Sequence, residues 1–317
     1  MKKKSRLLRK IVRLQKERNI IPEGSALLVA LSGGVDSVVL VHSLLELREF
    51  LKVKRIGLAH FNHGIREDSD RDEEFCRKLA LSLDLEFFSE KGDVSSVSQR
   101  ERKNLEEKAR EMRYRFLRRV KKREGFDLIA TAHHLTDLLE TVIIWITRGS
   151  GMEGLLGFSP VEGDVVRPLF TSTRREITDY AEVTGLRWIE DPTNLDLSLT
   201  RNRIRHRIIP VLREVNPSVE ESFLRLWRIL EIEDSFLREQ TASLLERARR
   251  ENCLEVKALK GSHIAVQKRA LKEFFGIRNL SKLEQILNLT DKGGEVRIGR
   301  RSRAVRKGGL LCLKKDS

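Results

Sequence analysis

The chain is short of cysteine, aromatics and acid, and has no long apolar run. Cys76, Cys253 and Cys312 are its only cysteines in 317 residues. They are odd in number, widely spaced and form no CxxC, so neither a disulfide framework nor a zinc ribbon is expected, and a reducing cytoplasm is the natural home. No segment approaches the roughly 20 apolar residues of a membrane span, which excludes a transmembrane helix. Aromatics make up 6% of the chain, too few for recognition by stacking alone. Against 47 Asp and Glu stand 62 Lys and Arg, a net charge of +15. Such a surplus suits a polyanionic partner, because phosphates release counterions to surface Lys and Arg, although a heat-adapted basic surface carries the same balance. The amino terminus, MKKKSRLLRKIVRLQK, is basic without the apolar core of a secretion signal. Leu7, Leu8, Ile11 and Leu14 share one helical stripe, which reads as a folded amphipathic helix; the charge pattern also fits a mitochondrial presequence.

What is present centres on Ala26 to Leu40, ALLVALSGGVDSVVL. An apolar run breaks at Ser32-Gly33-Gly34-Val35-Asp36-Ser37 and resumes at helical length, which predicts strand, tight loop, helix. Two glycines let another group approach the backbone closely. Loop amides, Ser32, Ser37 and the positive end of the following helix then converge as a phosphate cradle; the bland alternative is an ordinary glycine turn. The spacing GxxxxGK[ST] is absent and the turn holds no lysine, so Asp36 would repel phosphates unless it held a bridging Mg²⁺ ion. The loop resembles the pyrophosphate loop of the N-type ATP pyrophosphatases, which implies ATP contacts at Ser32, Gly33, Gly34, Val35, Asp36 and Ser37, and transfer of AMP to a carbonyl oxygen.

Downstream, Val38–Phe50 reads as a helix and Arg55–Phe61 as a second buried strand, ending in AHFNHGIR. Ligand-bearing loops of parallel sheets lie at the carboxyl ends of strands, so His60 is assigned to nucleotide, in preference to a His60–His63 metal pair. A helix from Glu67, a strand over Leu85–Ser89 and a basic helix over Val97–Arg123 follow, the last partly a solvated face of Arg/Lys and Glu pairs. A strand over Phe126–Ala132 then delivers the segment TAHHLTDLLET, Thr131 to Thr141. On a helix starting here, His133, Asp137, Glu140 and Thr141 share one face. A divalent-metal hydrolase site on His133, His134 and Asp137 is the rival, and it leaves the SGGVDS loop without a purpose. Alternating strands and helices imply a doubly wound, mostly parallel α/β sheet. Its last strand is expected at Val165–Leu169, after a glycine-rich stretch from Arg148 to Gly157. Arg201, Arg203, Arg205 and Arg207 crowd into seven residues and call for anionic partners. Ser218 to about Arg250 reads as one long helix or two, with an apolar stripe of Phe223, Leu226, Trp227 and Leu230 that suits a homodimer if only partly covered. Beyond it, Cys253–Lys260 alternates like a strand, two helices follow, and Glu295–Leu313 reads as strands bearing a second basic patch that includes Arg300, Arg301 and Arg303.

SGGVDS, AHFNHGIR, TAHHLTDLLET, RGSGMEGLLGF, RPL, EDPTN and RNRIRH occur in this order, and their combination is similar to that of the tRNA(Ile)-lysidine synthetases. The resemblance covers residues 25 to 215; Leu138 departs from it where the family often has glutamine, so no polar role transfers there. It implies a PP-loop catalytic domain over 1–217, a helical linker over 218–250 and a small α+β tRNA-binding domain over 251–317. It further implies that ATP, with Mg²⁺ at Asp36, adenylates the wobble cytidine of tRNA(Ile) with a CAU anticodon, after which free L-lysine displaces AMP. Asp36, Asp137, Arg113 and Arg205 are then the catalytic candidates, and His133, Asp137 and Glu140 the lysine-binding ones. Arg201, Arg203, Arg205, Arg207, Arg301 and Arg303 are the candidates for tRNA. A tRNA cytidine thiolase, a small-molecule amide synthetase and a non-catalytic RNA-binding protein are the competing readings.

Overall fold

The computed structural model describes residues 2–64, 69–101, 104–277, 279–299 and 301–315. Ile65, Arg66 and Glu67 of the second loop, Arg102 and Lys103 of the basic helix, and Arg300 lie outside the described residues. The chain forms two compact units, Met1–Trp227 and Arg228–Ser317.

In the first unit, strands β1 (Ala26–Ala30), β2 (Arg55–Asn62), β3 (Glu86–Lys91), β4 (Leu128–Ala130), β5 (Val161–Glu162) and β6 (Val165–Val166) build one sheet in the order β3-β2-β1-β4-β6-β5. Every pair is parallel except β5 with β6. The central strand β1 is apolar on both faces because helices cover both, with Leu27, Leu28 and Val29 fully buried. Strand order runs outward from β1 to β3 and then restarts at β4, so the loops leaving β1 and β4 diverge around a crevice at a topological switch point. The helix Val35–Glu46 follows β1 and buries Val38, Val39, Leu40, Val41 and Leu44 against the sheet. At the amino terminus, the helix Lys2–Arg18 buries Leu7, Ile11 and Leu14 of the expected stripe.

Three elements differ from expectation for local reasons. The strand starting at Val165 stops at Val166, because Pro168 cannot donate to a ladder and the chain turns, Phe170 N–H bonding to the Arg167 carbonyl. The basic helix is two helices, Val94–Glu101 and Leu105–Glu124. The strand starting at Cys253 ends at Glu255, where a helix Val256–Lys260 begins.

The second unit holds an antiparallel sheet of β7 (Arg249–Arg250), β8 (Cys253–Glu255), β9 (Glu295–Gly299), β10 (Ser302–Lys307) and β11 (Leu310–Lys315), in the order β7-β8-β11-β10-β9. Helices Ile264–Phe275 and Leu280–Lys292 pack on it through Ala270, Leu271, Phe275, Leu283 and Ile286. The sequence expectation of no disulfide is corrected here: Cys253 and Cys312 are bonded across a separation of 59 residues. Antiparallel register places them directly opposite each other on β8 and β11. Closing a loop of this length stabilises a domain by about 2–4 kcal/mol, mainly through the unfolded chain. Dithiothreitol is therefore expected to lower the thermal transition of this unit, and an unmoved transition would show that the two thiols carry no cross-link in solution.

Candidate active site

The phosphate loop is set by its own serines. Ser37 Oγ accepts from Ser32 N–H at 3.1 Å and donates to the Gly34 carbonyl at 2.9 Å, folding the turn back on itself. Gly33 stands at φ +86°, and a Cβ there would sit 3.1 Å from Ile189 Cδ1. Its carbonyl accepts from Ile189 N–H at 2.9 Å, which docks the segment before Asp191 onto the loop. Gly34 caps the helix Val35–Glu46 without a side-chain acceptor, so the first-turn amides stay available to an anion.

On the other side of the crevice, the helix Leu135–Thr147 begins at His134, which is in extended conformation. His134 Nδ1 accepts from Asp137 N–H at 3.2 Å, and Asp137 Oδ2 accepts from His134 N–H at 3.1 Å. With Nδ1 accepting in this reciprocal cap, Nε2 is the ring's donor. That buried nitrogen has no hydrogen-bond partner and lies 3.6 Å from Asp36 Oδ1 and 3.5 Å from Asp137 Oδ2. Asp36 Oδ1 is likewise buried and unpartnered, while Oδ2 pairs with Arg174 Nη1. One imidazole nitrogen therefore faces both the phosphate-loop carboxylate and the first carboxylate of the acidic row.

A hard oxygen with nothing to satisfy it suits Mg²⁺. Among the described residues no three His, Cys, Asp or Glu side chains converge as a metal cage. The residues present thus fit an ion held by Asp36 and phosphate oxygens, and they do not fit the hydrolase arrangement, in which His134 Nδ1 would have to leave its cap.

Glu140 is fully buried, and Arg205 grips it through Nε at 2.7 Å and Nη2 at 3.0 Å. Arg201 Nε stands 3.3 Å from the same carboxylate, and Arg205 Nη2 also reaches Asp137 Oδ1 at 3.3 Å. Burial pushes Glu140 upward in pKa, and Arg205 opposes it. Burial acts the same way on Asp137, but His134, His133, Arg201 and Arg205 outweigh it and hold the acid at about 2. His133 donates to or accepts from Thr131 Oγ1 at 2.9 Å and rests 5.5 Å from the Phe158 ring. Burial, with Arg113, Arg167 and Arg110 nearby, lowers it to about 3 against the pull of Asp137.

These two shifts have the same sign for stability. Between about pH 6.5 and 3 the unfolded chain protonates His133 and the folded chain does not, so stability falls on acidification; Asp137 adds to the fall as pH drops from about 4 toward 2. The urea midpoint should drop between pH 7 and about 4.5, and less so in His133→Asn. An equal drop in that variant would contradict the assignment.

The structure brings together Asp36, His133, Asp137, Glu140, Arg201 and Arg205, with Arg113 near His133; His60, Arg203 and Arg207 lie apart from them, and Arg301 and Arg303 belong to the second unit. His60 turns into the core: Nδ1 is 2.9 Å from the Leu31 carbonyl, which can only accept, so Nε2 is an acceptor, buried and unpartnered. Burial lowers its pKa. Cys76 Sγ lies beneath the loop, 3.4 Å from His60 Nδ1, and burial pushes its thiol up to about 12. Arg113 is half-buried with its guanidinium 5.6 Å from the Tyr114 ring, and burial lowers its pKa. Arg203 and Arg207 are exposed, whereas Arg201 and Arg205 point inward. Arg301 is exposed; Arg303 pairs with Glu295 at 3.1 Å. Two residues were missed as site members, His134 and Arg174. The pattern Thr173-x-x-Glu176 before an apolar period is a capping box and could have placed Arg174 at a helix start.

A mostly parallel sheet with this serine–glycine loop at its switch point is the architecture of PP-loop proteins, and residues 3–212 match the family described as PP-loop domain. Residues 248–313 match the TilS-like substrate binding domain. A curated tRNA(Ile)-lysidine synthase from Persephonella marina is 41% identical over 239 residues, 75% of this chain and 53% of that protein. One from Petrotoga mobilis is 36% identical over 222 residues, 70% of this chain and 71% of that protein. The chain belongs to the tRNA(Ile)-lysidine synthase family. It spans about half the length of several of these relatives. Among solved structures, the U34-tRNA thiolase NcsA from Methanococcus maripaludis shares the fold, with a TM-score of 0.59 and 21% identity over 72% of this chain and 79% of that one.

Proposed function

We propose that this chain joins free L-lysine to C2 of the wobble cytidine of an isoleucine tRNA with a CAU anticodon, releasing pyrophosphate and AMP. The observation that carries this reading is the His134 Nε2 contact with both Asp36 and Asp137, which makes the phosphate cradle and the acidic row one site. In the first step the cytidine O2 attacks the α-phosphorus of ATP, and the bond to the bridging oxygen breaks with its electron pair leaving on pyrophosphate. In the second, the lysine Nζ attacks C2, and the C2–O bond breaks with its pair leaving on AMP. Loop amides and Ser32 hold the phosphates for in-line displacement, while His60, turned into the core, packs beneath the loop and takes no part in binding nucleotide. Mg²⁺ at Asp36 would neutralise charge on the triphosphate.

The lysine ammonium, with a pKa of about 10.4, must shed a proton before attack. A carboxylate held at about 2 is a poor proton acceptor near neutrality, so Asp137 binds and orients the ammonium and the proton passes to solvent water. His133, neutral at working pH, lines the same pocket. Glu140 serves through Arg205, which it fixes beside Asp137. Arg113, with no carboxylate partner among the described residues, supports the charge on the substrate phosphates. The exposed Arg203, Arg207 and Arg301 are the residues we assign to tRNA phosphates, and a base must be splayed from an exposed loop to be read. On the helix Val219–Ala248, Phe223 and Trp227 of the expected stripe are buried within the chain, and the exposed Ile229, Ile232 and Phe236 form the apolar stripe that supports a homodimer. ATP, lysine and tRNA meet in the cytoplasm, which is where we place the protein.

Thiolation on the same fold is disfavoured by the cysteines: Cys76 is buried and inert, and Cys253 and Cys312 are bonded in the second unit. The test is labelled lysine with unmodified isoleucine tRNA bearing CAU, beside methionine tRNA with the same anticodon letters, with ATP and Mg²⁺. Incorporation into the first alone is expected. AMP and pyrophosphate without lysine incorporation would keep adenylation and replace the nucleophile; no turnover with either tRNA would favour a binding protein.

A further inference from the structure

We propose that Arg174 is the missing cation of the phosphate loop: it neutralises Asp36 before nucleotide arrives and passes to the β- and γ-phosphate oxygens of ATP when ATP binds. This rests on the reading of the loop as the site of ATP's polyphosphate. The turn Ser32–Ser37 carries no lysine, yet a triphosphate brings about four negative charges beside Asp36. Folding supplies a guanidinium from 138 residues along the chain, paired through Nη1 with Asp36 Oδ2.

The backbone of Arg174 is held from three sides. It is the first residue of the helix Arg174–Thr184, behind a Thr173–Glu176 capping box. Its own N–H donates to Thr136 Oγ1 at 3.1 Å, tying it to the helix that carries Asp137. Glu176, two residues on, is clamped by Lys10 and by Arg6, each at 2.6 Å. The side chain, by contrast, is 37% exposed and has Asp36 as its carboxylate partner. A pair this open adds at most about 1 kcal/mol to stability, so a purely structural role gives little reason for it. A fixed backbone with a movable cationic tip is what exchange between a carboxylate and a phosphate requires. Arg presents a planar fork to phosphate oxygens, and the exchange leaves Asp36 free to serve as an ion ligand just when the polyphosphate is in place.

The experiment is calorimetric binding of ATP and of AMP to the full chain, with Mg²⁺, for wild type, Arg174→Ala, Arg174→Lys and Arg175→Ala. Arg175 is the exposed neighbour, so its loss controls for net charge. Arg174→Ala is expected to weaken ATP about ten- to a hundredfold and to leave AMP, which lacks the outer phosphates, within about twofold. Arg174→Lys should recover part of the loss, and Arg175→Ala should match wild type. Unchanged ATP affinity in Arg174→Ala, or equal losses for ATP and AMP, would overturn the proposal. Failure of wild type itself to bind ATP would instead overturn the reading of the loop.

Discussion

Asp137→Asn is expected to cut lysine transfer by about 100-fold or more while ATP-dependent pyrophosphate release with tRNA stays near wild type. Asparagine is nearly isosteric and can still accept the His134 N–H, so the helix cap survives. What it lacks is the negative charge, which a carboxyl held at about 2 carries in full near neutrality. Loss of both half-reactions together would mean that Asp137 acts on the nucleotide, through His134 and Asp36, instead of on lysine. A variant transferring lysine normally would remove the acidic row from the reaction altogether.

Arg205→Ala should be the most destabilising single change in the site, by about 3–5 kcal/mol, because it strands the fully buried Glu140 carboxylate. Arg201, at 3.3 Å from that carboxylate, is the remaining cation and moves the expectation toward the lower figure. The control is the double replacement Arg205→Met with Glu140→Leu, which removes both charges and keeps apolar volume. It should regain most of the thermal stability and none of the activity. If Arg205→Ala alone unfolds at the wild-type temperature, the pair is not buried in solution as it is here.

How far the sequence carried depended on whether a feature is local. The phosphate loop is contained in six residues, so the glycines and serines announce it without any tertiary knowledge. Asp137 and Glu140 follow from helical period and lie on the helix Leu135–Thr147, but His133 does not share that helical face as expected, because the helix starts only after the extended cap residue His134. His134 was read only as a ligand of the rival metal site because its role lies in one backbone conformation, φ −130° and ψ 178°, that turns its ring into a cap and aims Nε2 across the crevice. Arg174 was one cation among 62 Lys and Arg, and nothing near it in the chain announces Asp36. Arg205 reads in sequence as one of four crowded arginines for an anionic partner. In the fold the segment Ile204–Ile208 is a π-helical turn, and a carboxylate 65 residues earlier claims it. The Cys253–Cys312 bond was hidden for the same reason, since only sheet register makes the two positions neighbours.

The central claim is that one crevice first joins AMP to the tRNA and then exchanges it for lysine. Its most direct test is to incubate the protein with tRNA(Ile) bearing CAU and ATP labelled at the α-phosphate, leaving lysine out, and to measure label that precipitates with the tRNA. Label should accumulate on the tRNA and be discharged as AMP when lysine is added. Label that never joins the tRNA while lysine is still incorporated would contradict the adenylated intermediate, and with it the shared crevice.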